Sequence, residues 1–136
     1  MNAYFKGDEE FNINLAKLFY SVASIDKVVV EEEIAFFKAI IRKEWETNKV
    51  LDKTQTKQVF DVFDSLVESK TNAEECFESF RVYLIKSNGL FSPFIKKLIW
   101  KTADGIASAF ADKNKSEVIL LAKLKSLLLD LPDVES

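Results

Sequence analysis

The sequence predicts an all-α fold: a compact bundle of about six to seven helices in a single domain spanning residues 1–136. Three observations carry this. Only three glycines and two prolines interrupt the 136 residues, and scarcity of both breakers favours helix. Apolar residues recur at helical spacing in six successive segments. The stretch with most strand propensity, Val28-Val29-Val30, is three residues long and runs straight into three glutamates.

Taken in order, the first helix carries Phe11, Leu15, Leu18, Phe19 and Val22 on one face, with Asp8, Glu9 and Glu10 as its N-terminal charges. Val28 to Val30 then reads as an extended loop in which one valine plugs the core. The second helix is expected from about Glu31 to Thr47, with Ile34, Phe37, Ile41 and Trp45 facing inward. The third runs from Thr54 to Lys70 on Val59, Phe60, Phe63, Leu66 and Val67. The fourth runs from Glu74 to Ser87 on Phe77, Phe80, Tyr83 and Leu84, and Asn88-Gly89 reads as its C-terminal cap. Ser92-Pro93 is an N-cap followed by proline at the first helical position. The fifth helix it opens carries Ile95, Leu98, Ile99, Thr102, Ile106, Ala109 and Phe110. A sixth runs from about Lys115 to Leu129 and ends before Pro132.

Composition excludes several function classes. The chain has no histidine, which removes a Ser-His-Asp triad, a histidine-ligated metal and a histidine base. One cysteine, Cys76, removes an intrachain disulfide and any CxxC centre. Gly7, Gly89 and Gly105 stand apart, so no phosphate-binding or dinucleotide loop is present. A net charge of −3 lacks the basic excess of a nucleic-acid binder. Met1 to Glu10 has neither the basic nor the apolar region of a secretory signal, and apolar runs fall far short of a membrane span. With Cys76 unpaired, the cytoplasm is the expected compartment. An enzyme would need paired carboxylates in a cleft, and the remaining candidates are surface glutamates, so no catalytic role is expected.

The chain also carries an internal similarity. Leu15-Ala16-Lys17-Leu18-Phe19-Tyr20 matches Ile95-Lys96-Lys97-Leu98-Ile99-Trp100 in residue type at an offset of 80, and Ala23 falls on Ala103. Glu33-Ile34-Ala35-Phe36-Phe37 matches Glu117-Val118-Ile119-Leu120-Leu121 at an offset of 84. The difference of four is about one helical turn, which suggests a duplicated helical hairpin.

Between the first two helices lies Val22-Ala23-Ser24-Ile25-Asp26-Lys27-Val28-Val29-Val30-Glu31-Glu32-Glu33-Ile34. This segment resembles the helix-loop-helix signature of the TerB-like family, the tellurite-resistance protein B type. Asp26 takes the family's Asp position, Val29 its hydrophobic position and Glu33-Ile34 its Glu-apolar pair. The family glycine is Lys27 here, and its Ser or Asp cap is Val30. Asn114-Lys115-Ser116-Glu117 echoes the design as a capping box in the second half, with Asp112 nearby. Ala103-Asp104-Gly105 repeats the family tripeptide by letter, but no cap and glutamate follow it, and Gly105 there serves to let another helix approach. The resemblance implies an all-α fold of duplicated helical units and a protein partner in a bacterial stress-response or membrane-associated complex. It also implies a divalent-cation site, for Ca²⁺ or Mg²⁺, on acidic loops.

For the residues of that loop, two arrangements are open. Asp26, Glu32 and Glu33 could converge as oxygen ligands for such an ion. Alternatively, Glu31, Glu32 and Glu33 are first-turn charges that favour the helix dipole by a few tenths of a kcal/mol each. Consecutive helical residues point about 100° apart, so the three glutamates cannot all face one ion, and the dipole arrangement is favoured. At Asp112 and Glu117 the interleaved Lys113 and Lys115 would repel a cation. Lys96, Lys97 and Lys101 beside Trp100 read as a solvated face whose stems cover the indole, or alternatively as a patch for acidic partners or anionic lipid. Acidic neighbours are expected to raise the Cys76 thiol and make it unreactive. Paired apolar residues at Phe36-Phe37 and Ile40-Ile41 widen the second helix's stripe and place it at the centre of the bundle. The run Val118 to Leu121 with Leu127 to Leu129 sits on a terminal helix, where an exposed strip would support a homodimer.

Overall fold

The computed structural model describes residues 8–109 and 115–130. Among these the chain forms six α-helices and no strand, packed as an all-α bundle. The helices are α1 (Glu9–Ser24), α2 (Glu31–Ile40), α3 (Lys53–Ser69), α4 (Ala73–Lys86), α5 (Pro93–Ala109) and α6 (Lys115–Asp130). Their ends follow from local chemistry. Asp8 caps α1 by accepting the Phe11 N–H at 2.8 Å, and Asn72 caps α4 by accepting from Glu75 at 2.9 Å. Asp52 and Gln55 form a reciprocal capping box on α3, at 2.8 and 2.9 Å. Ser92 caps α5 ahead of Pro93, its hydroxyl accepting from Ile95 at 3.2 Å.

The central helix is α1, not the second helix. Eleven of its sixteen residues are buried, and it packs on α3, α4 and α5. Its flanks are small or short polar residues that let neighbours approach and whose side-chain donors are satisfied. Asn14 donates to the Glu10 carbonyl at 2.9 Å, Ser21 donates to the Leu18 carbonyl at 2.6 Å, and Asn12 donates to Gln58 at 2.8 Å. In contrast, α2 buries only Glu33 and Phe37 and leaves Phe36 on the surface. Phe37 alone is enough to anchor it, stacked on Phe63 with ring centroids 4.0 Å apart. The two hairpins differ in build. Helices α5 and α6 lie directly together, whereas α2 meets α1 through large rings, Phe19 to Phe37 at 6.0 Å, with Trp45 beyond the end of α2 also 6.0 Å from Phe19.

Beyond Ile40 the second helix widens into a π-helical segment, Ile41–Glu46. It is pinned by Trp45, which is fully buried and donates its indole N–H to Thr102 of α5 at 2.9 Å. Nearby, a Cβ on Gly105 would meet Ile40 Cδ1 at 3.2 Å, so the missing side chain does let α2 and α5 approach. Asn88-Gly89 is not a left-handed cap: both residues lie in a short 3₁₀ turn, Asn88–Leu90, and no glycine there has positive φ. That turn delivers Phe91 into a second aromatic cluster with Phe11, Phe80 and Tyr83. Phe110, Asp112, Lys113 and Asn114, and with them the expected Asn114 cap, lie outside the described residues. No helix among the described residues is long and apolar enough to cross a membrane.

Candidate functional site

The α1–α2 loop is built by its own sequence. Helix α1 ends at Ser24, and the Lys27 N–H closes the turn on the Ser24 carbonyl at 3.3 Å. The three valines then alternate: Val28 is 65% exposed, Val29 is buried and Val30 is exposed. Val29 is the residue that plugs the core. Val30 holds the N-cap position with no side-chain acceptor, so only half of a capping box forms. Its N–H donates to Glu33 Oε1 at 3.0 Å, and its carbonyl accepts from the Glu33 and Ile34 amides at 3.0 and 3.1 Å.

This fixes the acidic residues. Glu33 is turned inward and buried, with Oε1 on the Val30 amide and Oε2 in an ion pair with Lys27. Glu31 and Glu32 point to solvent on the first turn, and Asp26 is exposed on the loop. Asp26, Glu32 and Glu33 therefore do not assemble, and no group of three or more Asp, Glu, Cys or His among the described residues is placed to hold a metal ion. The cause is local. Lys27 supplies the positive charge that Glu33 faces, and helical geometry sends Glu32 about 100° away. Glu117, the second-half counterpart, is buried in α6.

Beside the same loop lies a groove of about 950 Å³, bounded by the end of α1, the α1–α2 loop, the α3–α4 junction, α4 and α6. Val29, Phe77 and Leu120 form buried apolar parts of its wall, and Ile25 and Val67 add half-buried ones. Val28 and Ile119 stand exposed on its lips. The groove keeps its shape through Tyr20, whose hydroxyl donates to the Thr71 carbonyl at 2.6 Å and ties α1 to the α3–α4 junction. Burial pushes the Tyr20 phenol above its ordinary value. The junction is tight because Lys70 takes a left-handed conformation, φ 52°, to end α3.

Charge around the groove is mixed and partly internal. Arg81 grips Glu78 in a bidentate pair, 2.9 and 2.6 Å, which holds the Glu78 carboxyl below its usual range. Asp26 and Glu74 balance Lys70 and Lys123 on the same rim. Such a surface favours a ligand recognised by shape and apolar contact over one recognised by net charge.

Two other sequence candidates resolve as structural. Cys76 is buried, and that burial is the main reason its thiol is pushed up; Lys17 pulls it back and Glu75 adds to the rise. Trp100 is covered by a lysine, but from α6: Lys125 Nζ sits 5.7 Å from the ring centroid. Lys101 pairs with Glu44 at 3.3 Å, and Lys96 is buried. Sequence reasoning missed the groove because its walls come from positions 20–29, 67–81 and 116–123, and no local pattern joins them. The one available signal was Val28, an apolar residue forced outward when Val29 goes in.

Compared with protein-family models, with curated proteins and with solved structures, the chain matches none.

Proposed function

We propose that this chain is a non-catalytic binding module that holds a protein partner in the groove beside the α1–α2 loop, without an ion. The observation that carries this is the groove itself: about 950 Å³, with Val29, Phe77 and Leu120 as buried apolar parts of a mixed wall and Val28 65% exposed on its edge. A valine so placed contributes little to this chain's own packing and suits a contact across an interface. Absence of histidine and the buried, raised thiol of Cys76 support the non-catalytic part. The TerB-like relation, and with it a bacterial stress-response assembly of the tellurite-resistance type, belongs to the same proposal. It rests on Asp26, Val29 and Glu33-Ile34, and the engagement of Glu33 by Lys27 supports a form of it without an ion.

Position-specific photo-crosslinking tests the proposal. A photoreactive residue is placed at Val28 on the groove and, in a second protein, at Val82 on the outer face of α4, which is similarly exposed. A discrete adduct from Val28 with none from Val82, in cells expressing the protein, is the expected result. No adduct from Val28, or the same adducts from both, would overturn it.

A further inference from the structure

The outward side of α6 carries a line of side chains that the core does not use. Leu120, Leu121, Leu124 and Leu128 face inward and are buried. On the opposite side Ile119, Ala122, Ser126 and Leu129 are all exposed, Ile119 at 46% and Leu129 at 73%. Their spacing of three, four and three residues is the seam of a two-helix contact. Between Ile119 and Leu129 this pole turns isoleucine, alanine, serine and leucine to solvent, with the exposed Lys115, Lys123 and Asp130 flanking them.

From this line we infer that α6 is the face through which two copies of this chain associate, as an antiparallel helix pair across a two-fold axis. The order of side-chain sizes argues for a second copy. Read in either direction, the line runs large, small, small, large. An antiparallel pairing centred at the level of Leu124 sets Ile119 against the partner's Leu129 and Ala122 against the partner's Ser126. Small residues then meet at the crossing, where backbones must come close, and large ones fill both ends; the same patch serves both copies, as a two-fold contact requires. Charge does not drive the pairing. Lys123 would lie near its own copy, while Lys125 is drawn onto Trp100 of its own chain. One helix face is less than the roughly 1,200 Å² at which stable interfaces begin, so association is weak and reversible.

Sedimentation equilibrium of the full chain over about 5 to 500 µM tests this, the range in which so small an interface operates. The weight-average mass should rise from 15.6 kDa towards twice that value. Ser126→Glu and Leu129→Glu should hold the protein at 15.6 kDa with unchanged circular dichroism, while Val28→Glu in the groove should leave association intact. A mass fixed at 15.6 kDa throughout would overturn the inference. So would association that survives both glutamate variants, or that is lost in Val28→Glu.

Discussion

Lys27 and Glu33 close on each other across the α1–α2 loop, and Glu33 uses its other oxygen to hold the Val30 amide at 3.0 Å. One buried carboxylate thus joins a loop cation to a helix start. The two halves of this arrangement separate by mutation. Glu33→Gln keeps an acceptor for Val30 and loses the ion pair, and should cost about 0.5–1 kcal/mol. Lys27→Met leaves a buried carboxylate without its cation and should cost more, about 1–3 kcal/mol. Urea denaturation of both variants gives the order, and Glu33→Gln costing more than Lys27→Met would contradict it.

Trp45 and Thr102 make a second buried polar contact, between the π-helical segment and α5. Thr102→Val preserves shape but strands the indole N–H in the core, an expected loss of about 1–3 kcal/mol. Thr102→Ser keeps the hydroxyl and should recover most of it apart from the deleted methyl. Equal losses in the two variants would show that the hydrogen bond contributes nothing.

Lys70 ends α3 at φ 52°, where a β-carbon is crowded against the backbone. Its side chain is exposed. Lys70→Gly should therefore raise stability by about 0.5–1 kcal/mol, net of the entropy glycine adds to the unfolded chain. A rise in thermal midpoint is the expected readout.

Gly105 offers a test of sign. In mid-helix, alanine is favoured over glycine by about 1 kcal/mol. The added Cβ would sit 3.2 Å from Ile40 Cδ1, the free end of a half-buried side chain that can yield by a few tenths of an ångström. Gly105→Ala should be neutral to stabilising by about 0.5 kcal/mol, whereas Gly105→Ile should force α2 and α5 apart and cost about 1–3 kcal/mol.

Tyr83 contributes to the loss of stability at high pH, alongside Tyr20 and Cys76, which burial also raises. Its phenol is buried and pushed up to about 12, first by that burial and then by the Asp8 and Glu10 carboxylates. The hydroxyl itself has no hydrogen-bond partner among the described residues. Its ordinary value is 10.0, so the native state holds the proton more tightly than the unfolded state does. The resulting stability is fully present below about pH 10 and is lost as pH rises towards 12. Tyr83→Phe should flatten that decline and, because the hydroxyl has no partner, cost little at neutral pH. Denaturation midpoints of both proteins between pH 9 and 12 check it.

Helix positions were legible because the apolar spacing and the caps are local. Asp8, Asn72 and Ser92 lie next to the turns they start, and Val29 sits where a buried valine must. The centre of the bundle was not legible. Asn12, Asn14 and Ser21 look like an exposed face, and only their hydrogen bonds to Gln58, Glu10 and Leu18 make them fit to bury. The left-handed end of α3 has no glycine to announce it. Three consecutive glutamates look equal in sequence, yet only Glu33 has the angle that meets Lys27. The groove needs segments about 50 residues apart to come together, which is a property of the packed chain.

The central claim is that Lys27 and Val30, not an ion, hold Glu33, leaving the adjoining groove to bind by shape. A thermal melt of chelator-treated protein with and without Ca²⁺ or Mg²⁺ tests it directly. The account predicts the same midpoint in all samples, within about 1 °C. An ion at about 100 times its Kd adds roughly 2.7 kcal/mol, on the order of 10 °C for a domain this size. A rise of that size that Glu33→Gln abolishes would contradict the account and restore the ion to the loop.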